Sequence, residues 1–320
     1  MKGYLKISIL LQLTYFCPKS SALYKFLIRP FLFLKNPEPA HYSTFNLIKK
    51  TFSWPGVQAM CRALFRYEHP DLQVECMGLK FPNPVGLAAG FDKDARLFNE
   101  LEAFGFGFIE VGTVTPKKQL GNPKPRIFRL ERDQALINRL GFNNHGSEII
   151  FKRISNNLPD GFLGINIGPN KDTLNKEEDF YSCLKKISPY AGYVTINISS
   201  PNTEGLRDFH DQKELEKLLI GINKIKKENS LSKPLAVKLS PDIDDNEISK
   251  IIELIIKYRI SGIIVSNTTE INRQNLSDVK KNERGGLSGQ PLRDRSTKLI
   301  KKFYNETKGK IQIIGVGGVD

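Results

Sequence analysis

The sequence is poor in cysteine, with only Cys17, Cys61, Cys76 and Cys183, and no two of them stand at CxxC spacing. That excludes a zinc cluster or a disulfide framework of the usual spacing and fits a reducing compartment. Long apolar runs are also missing. No stretch reaches the roughly 20 apolar residues needed to span a bilayer. The run over residues 7–16 follows Lys2 and Lys6 as a secretory leader's core would. Tyr15-Phe16-Cys17-Pro18 after it offers no small-residue cleavage site. Residues 1–20 are therefore expected to be an upstream extension or a membrane-touching helix sooner than a secretory leader, with a mistaken start or another targeting signal as alternatives. Acids are scarce at the same end. Residues 1–70 hold ten Lys or Arg against Glu38 and Glu68, more than half of a net charge of +14. No basic–aromatic interleaving or nucleic-acid signature accompanies that charge. An anionic membrane surface is the expected partner, and nucleic acid is not.

What is present is a chain of 320 residues, enough for one large barrel or two domains, with an ordinary 40% hydrophobic and 26% charged content. Residues 21–70 read as short helices. Leu23, Phe26, Leu27, Phe31, Phe33 and Leu34 alternate with Lys25, Arg29 and Lys35, and a Pro-rich segment from Asn36 to His41 punctuates them. A second helix is expected from about Ser43 to Phe52 and a third from about Gly56 to Phe65. Apolar groups flanked by positive charge suit a helix lying in a bilayer interface. Helices docked on a main domain fit equally well.

From Glu75 the pattern changes. Short apolar strands are expected at 85–89, 108–112, 162–167, 193–198, 235–239, 262–266 and 311–316, with helices at 95–104, 212–228 and 245–258 between them. Gly78 suggests a small hairpin before the first. Continuous apolar strands alternating with helices mean a parallel sheet covered on both sides. The expected fold is an α/β, TIM-type (β/α)8 barrel over residues 71–320, with a small N-terminal helical domain over 21–70. A doubly wound sheet is the alternative. The barrel is preferred because nearly every strand ends in glycine or polar residues, and a barrel gathers those ends around one mouth.

The strand ends are rich in amides and hydroxyls and carry two lysines, Lys93 and Lys238, without the paired acids or histidines of a glycosidase or metal site. No metal is expected. Gly285-Gly-Leu-Ser-Gly289 and the glycines of 315–318 suit a phosphate held by backbone N–H groups. Lys238, inside the apolar Leu235-Ala-Val-Lys-Leu239, is either a strand-end lysine reaching solvent or a fixed cation beside a flavin. The segment Asn197-Ile-Ser-Ser-Pro-Asn202 brackets two serines with asparagines, and no histidine stands as a triad partner.

Taken together, Gly86-Leu-Ala-Ala-Gly-Phe-Asp-Lys93, Glu110-Val-Gly-Thr-Val-Thr-Pro116, Asn138-Arg-Leu-Gly-Phe-Asn-Asn144, Gly164-Ile-Asn-Ile-Gly168, Asn197-Ile-Ser-Ser-Pro-Asn202, Ser266-Asn-Thr-Thr269, Gly285-Gly-Leu-Ser-Gly289 and Ile314-Gly-Val-Gly-Gly318 resemble the dihydroorotate dehydrogenases of the membrane-associated, quinone-using class. The resemblance runs from about residue 21 to the end, in the family's order. It implies FMN in the barrel mouth, oxidation of (S)-dihydroorotate to orotate in pyrimidine biosynthesis, and a membrane quinone as electron acceptor. It assigns FMN contacts to Ala89, Gly90, Phe91, Asp92, Lys93, Thr113, Asn166, Asn197, Lys238, Ser266, Gly289 and Gly318. Substrate contacts fall to Lys93, Asn138, Arg139, Leu140, Gly141, Phe142, Asn197, Asn202, Asn267 and Thr268. Ser200 matches the base that takes the C5 proton, where soluble relatives carry Cys. His41 and Arg126 resemble residues lining the quinone's entry slot, and a helix-packing histidine is an equal reading of His41. The implied location is peripheral, on the cytoplasmic face of the cell membrane or, in a eukaryote, at the mitochondrial inner membrane.

The chain departs from the family pattern at its end, where the seventh strand should hand over to an eighth βα unit. A fragment of a longer enzyme and an inactive remnant are both expectations compatible with that. A soluble flavin barrel using another acceptor is the remaining alternative.

Overall fold

The structure is a computed structural model that describes residues 24–317. The expected extension over residues 1–20 and the Gly318 position lie outside the described residues. The chain divides into two compact units, residues 1–66 with 103–105, and residues 67–102 with 106–320.

The first unit is helical, with α1 (Arg29–Phe33), α2 (Pro37–Phe52) and α3 (Val57–Phe65). Helix α2 begins before Ser43 because Pro37 occupies its first turn, where a missing N–H costs nothing. Glu38 at its start and Lys49 and Lys50 at its end complement the helix dipole. The rings of Phe52 and Phe65 meet Phe104 at 5.7 and 5.6 Å. Phe26, Phe31 and Leu34 nevertheless remain 77%, 70% and 84% exposed, and Leu47 and Trp54 are exposed too. Among the described residues no helix is long and apolar enough to cross a membrane.

The second unit is built on seven parallel strands: β3 (Gly86–Leu87), β4 (Phe108–Val114), β7 (Phe162–Ile167), β8 (Tyr193–Asn197), β9 (Leu235–Leu239), β10 (Gly262–Val265) and β12 (Gln312–Gly315). All seven expected strands are present. Each lies beside its successor in the chain, in the order β3-β4-β7-β8-β9-β10-β12. A doubly wound sheet would reverse its strand order at a switch point. This sheet has no reversal, so the connectivity is the barrel's. The covering helices include α4 (Phe98–Glu102), α5 (Ser147–Asn156), α6 (Lys176–Ile187), α7 (Gln212–Glu228), α8 (Asp245–Lys257) and α9 (Arg293–Thr307). Helix α4 is shorter than the expected 95–104. Asp211 and Asp244 cap α7 and α8 by accepting from backbone N–H groups of their first turns.

A hairpin of β1 (Val74–Cys76) and β2 (Leu79–Phe81) closes the end where the strands begin. Phe81 sits 5.0 Å from Phe108 and 4.9 Å from Phe162, the first residues of β4 and β7. With that end packed by aromatic rings, chemistry is left to the opposite end.

One element was not expected. A three-stranded antiparallel sheet joins β5 (Ile127–Leu130), β6 (Ala135–Asn138) and β11 (Gly286–Gly289), in the order β11-β6-β5. It has its own core of Phe128, Leu130, Ile137, Leu276 and Leu287. The Gly285–Gly289 string is thus mostly strand, with Gly289 at its end lining the cavity described below. Its glycines answer crowding, since a Cβ on Gly286 would fall 1.7 Å from Thr268 Oγ1.

Candidate active site

Side chains alternate across a strand, so one set of each strand faces the helices and the other faces inward. In β8, Val194 and Ile196 take the helix side and Tyr193, Thr195 and Asn197 the interior. The register carries this across the sheet in layers: Glu110, Gly164 and Tyr193; then Asn166, Thr195 and Ala236; then Asn197, Lys238 and Ile264. The interior is therefore polar by sequence, and its groups pair. Asn166 Nδ2 donates to Glu110 Oε1 at 3.0 Å, and the hydroxyls of Tyr193 and Thr195 donate to Glu110 Oε2 at 2.9 and 3.0 Å. Thr113 Oγ1 donates to Asn166 Oδ1 at 2.6 Å, and Asn197 Nδ2 reaches both.

Lys238 is different. It is buried, and among the described residues its ammonium makes no hydrogen bond. Burial pulls its pKa below the usual lysine value, and the Glu110 carboxylate partly opposes that. A buried cation without a hydrogen-bonding partner is costly unless an anion comes to it.

Lys238 lines a cavity of about 480 Å3. Ala89, Ser266, Asn267, Thr268, Gly289, Gly315 and Gly317 line it as well, so six expected contact residues share one space. A Cβ at Gly317 would meet no atom within 4 Å, which leaves its backbone open toward a ligand. Ser288, Arg293, Ser296 and Thr297 also line the cavity and add hydroxyls and a cation that sequence reading missed.

The loop after β8 carries Ser200. Its Oγ accepts the Asn202 N–H at 3.2 Å and is buried. Asn202 Nδ2 donates to the Asn138 carbonyl at 3.2 Å, so the small antiparallel sheet delivers Asn138 to this loop. Asn267 Nδ2 donates to Ser199 Oγ at 2.9 Å. Two buried hydroxyls here, Thr203 and Thr268, find no partner among the described residues. Arg207 braces the arrangement. Its guanidinium donates to the carbonyls of Ser199 and Thr268 and to Asp242, tying together the loops after β8, β9 and β10. His210 beside it is no general base. Burial and the Arg207 charge push it down to about 4, and its Nε2 accepts the Ser240 N–H.

On the other side, Gly90 donates to the Gly112 carbonyl at 2.9 Å, and Lys93 donates to the Gly90 carbonyl. Phe91 is exposed. The ring of Phe142 lies close to Gly168 beside the Thr113 side chain. The carbonyls of Leu140, Gly141 and Phe142 are held by Asn122 and Gln119.

Several expected residues point elsewhere. The Asp92 carboxylate turns to the backbone N–H groups of Arg96 and Leu97, both at 2.8 Å, and burial holds its pKa up. There it shapes the loop. The Arg139 guanidinium binds Glu283 at 2.7 Å and stacks over Phe128, bracing the antiparallel sheet. Buried Arg126 donates to the Leu120 and Asn122 carbonyls at 2.6 and 2.9 Å, which is a loop-holding role. In the helical unit, His41 is half-buried with its ring 4.3 Å from Phe45. Glu110, Thr203 and Arg207 were not singled out from sequence. Glu110 was legible, because an acid at an inward position of an otherwise apolar strand needs a reason.

A model of the family described as dihydroorotate dehydrogenase matches residues 71–320. A dihydroorotate dehydrogenase (quinone) of Christiangramia forsetii is 46% identical over 299 residues, covering 93% of this chain and 87% of that protein. One of Yersinia pseudotuberculosis is 45% identical over 305 residues, covering 93% and 89%. Among solved structures, a dihydroorotate dehydrogenase of Eimeria tenella in complex with ferulenol superimposes with a TM-score of 0.81 at 38% identity, covering 89% of this chain and 81% of its own. Its ligand-free form gives 0.80 at the same identity.

Proposed function

This chain belongs to the dihydroorotate dehydrogenase family, and from that premise we propose that it oxidises (S)-dihydroorotate to orotate on bound FMN, with a membrane quinone as the acceptor. The family is one of flavoenzymes. The observation that carries the FMN reading is Lys238, a buried cation without a hydrogen bond that lines a cavity shared with Ser266, Gly289 and Gly317. Those residues fit an anionic, planar cofactor. Lys238 would offset negative charge on the ring, while Ser266 and the backbone near Gly289 and Gly317 would hold the phosphate. FMN, when bound, would supply a two-electron carrier between the substrate and the quinone.

The chain's own residues do the rest. Orotate is flat, with amide-like edges and a carboxylate. The side chains of Asn138, Asn197, Asn202 and Asn267 and the hydroxyl of Thr268 offer the matching donors and acceptors, and Lys93 meets the carboxylate. Ser200 Oγ takes the proton from C5, a carbon acidified by the neighbouring carbonyl. A serine is a weak base, so its own proton must leave as the new one arrives. The Thr203 hydroxyl, buried without a partner three residues on in the same loop, supports such a relay.

The helical unit supports contact with a membrane surface. Phe26, Phe31 and Leu34 are exposed in a stretch punctuated by Lys25, Arg29 and Lys35, which is the composition of an interfacial helix. His41 belongs to this unit and is a candidate for the quinone path. The test is anaerobic addition of dihydroorotate to the purified full chain. The flavin absorbance should bleach, and a short-chain quinone should restore it. A flavin that keeps its colour would overturn the reading.

A further inference from the structure

The interior hydrogen bonds of the barrel unit form one chain with a single direction, and its origin is Glu110. As a carboxylate, Glu110 only accepts. Asn166 must therefore turn its amide nitrogen toward it, at 3.0 Å, and its oxygen toward the mouth. That oxygen then accepts from Thr113 at 2.6 Å and from Asn197 Nδ2 at 3.1 Å. Having donated, Thr113 Oγ1 can accept from Asn197 Nδ2, at 3.0 Å. Asn197 Oδ1 in turn accepts the Ser199 hydroxyl at 2.7 Å, and Ser199 Oγ accepts Asn267 Nδ2 at 2.9 Å. Asn267 Oδ1 ends the chain by accepting the Thr268 N–H at 2.8 Å. Each sense follows from the one before.

The other Glu110 oxygen is anchored by Tyr193 and Thr195. The phenol crosses position 164 because glycine stands there; a Cβ would lie 2.3 Å from the ring. An amide has nearly the same shape either way round, so shape does not decide which end of Asn166, Asn197 or Asn267 faces a ligand. The hydrogen-bond chain does.

We propose that Glu110 is a positioning residue that sets the donor and acceptor sense of Asn166, Asn197 and Asn267, and so decides which atoms the mouth presents to the flavin and the flat acid. Glu110 touches neither ligand. The inference rests on the FMN and orotate reading above. Glu110 also opposes the effect of burial on Lys238, which makes charge a second route for any Glu110 variant. The test must separate the two.

Three variants of the full-length holoenzyme do so, read by titrating orotate against the visible absorbance of the bound flavin. Glu110→Gln presents an amide that can donate where only an acceptor stood. Asn166→Asp sets acceptor against acceptor while leaving the Glu110 charge in place. Combining E110Q with N166D restores one direction, with the charge moved one residue along. Each single variant is expected to weaken orotate binding at least tenfold, and the pair to recover at least tenfold over N166D. An E110Q protein within threefold of wild type, or a pair no better than N166D, overturns the proposal. Should the single variants lose their flavin, retention by the pair supports the proposal and loss by the pair overturns it. A wild-type flavin that ignores orotate overturns the functional reading and this inference with it, whereas a responding wild type matched by E110Q overturns the inference alone.

Discussion

The barrel interior and the helical unit invert the usual distribution of residues in opposite ways. Inside the sheet, Glu110, Thr113, Asn166, Thr195, Asn197 and Lys238 are buried. On the helical unit, Phe26, Phe31, Leu34, Leu47 and Trp54 are exposed. A chain sufficient to itself would do neither, because buried polar groups and contiguous exposed apolar groups both carry a cost. The difference lies in what each region lacks. Among the described residues the interior pairs most of its polar groups with one another, but the Lys238 ammonium and the hydroxyls of Thr203 and Thr268 make no hydrogen bond. The helical unit leaves large apolar side chains open to solvent.

Substitutions at each region should break that contrast separately. The largest effect is expected at Ser200. Ser200→Ala should slow flavin reduction by about 10²–10⁴-fold, the usual worth of a general base, while the purified protein stays yellow. Stopped-flow reduction at the wild-type rate would remove Ser200 from the role of base.

A smaller effect is expected from making the helical unit polar. Phe31→Ser with Leu34→Ser should lower turnover with vesicle-embedded quinone by about tenfold or more, since even half of the roughly 1.5–3 kcal/mol per fully buried side chain exceeds a tenfold effect for the pair. Reduction of a water-soluble dye should hold its rate. Equal losses with both acceptors would place the damage in the fold and not at a membrane surface.

The smallest effect concerns stability. Above pH 6.5 His210 is neutral in both the folded and the unfolded chain. Between 6.5 and about 4 only the unfolded chain takes up the proton, because burial and Arg207 depress the folded value. Stability is therefore fully present above 6.5 and falls as pH falls, by at most on the order of 3 kcal/mol near pH 4. His210→Gln keeps an acceptor for the Ser240 N–H and should flatten the melting temperature across that window. An unchanged slope would rule out His210 as its source.

The parallel sheet was legible because its strands are apolar runs between capped helices, and the seven expected strands are the seven observed. The antiparallel sheet was not. Ile127–Leu130 and Ala135–Asn138 are four-residue strands, and Gly286–Gly289 carries two glycines that read as a turn. Only the approach of Thr268 explains why glycine is needed there. The burial of Lys238, Ser266 and Asn197 at their strand ends could be read from residue type and strand position. The directions taken by Asp92 and Arg139 could not, because a motif reports which residues are present and not which way a carboxylate or guanidinium turns. Glu110 lay within a quoted string, and inward alternation along β4 would have singled it out.

The most direct measurement is the visible spectrum of the flavin in the purified protein as orotate is added. A saturable shift at one orotate per flavin is expected, because on the proposed reading Lys238 and the ordered amides of the mouth hold a ring and a flat acid side by side. A protein that carries no flavin, or whose flavin spectrum is indifferent to orotate, would contradict that arrangement.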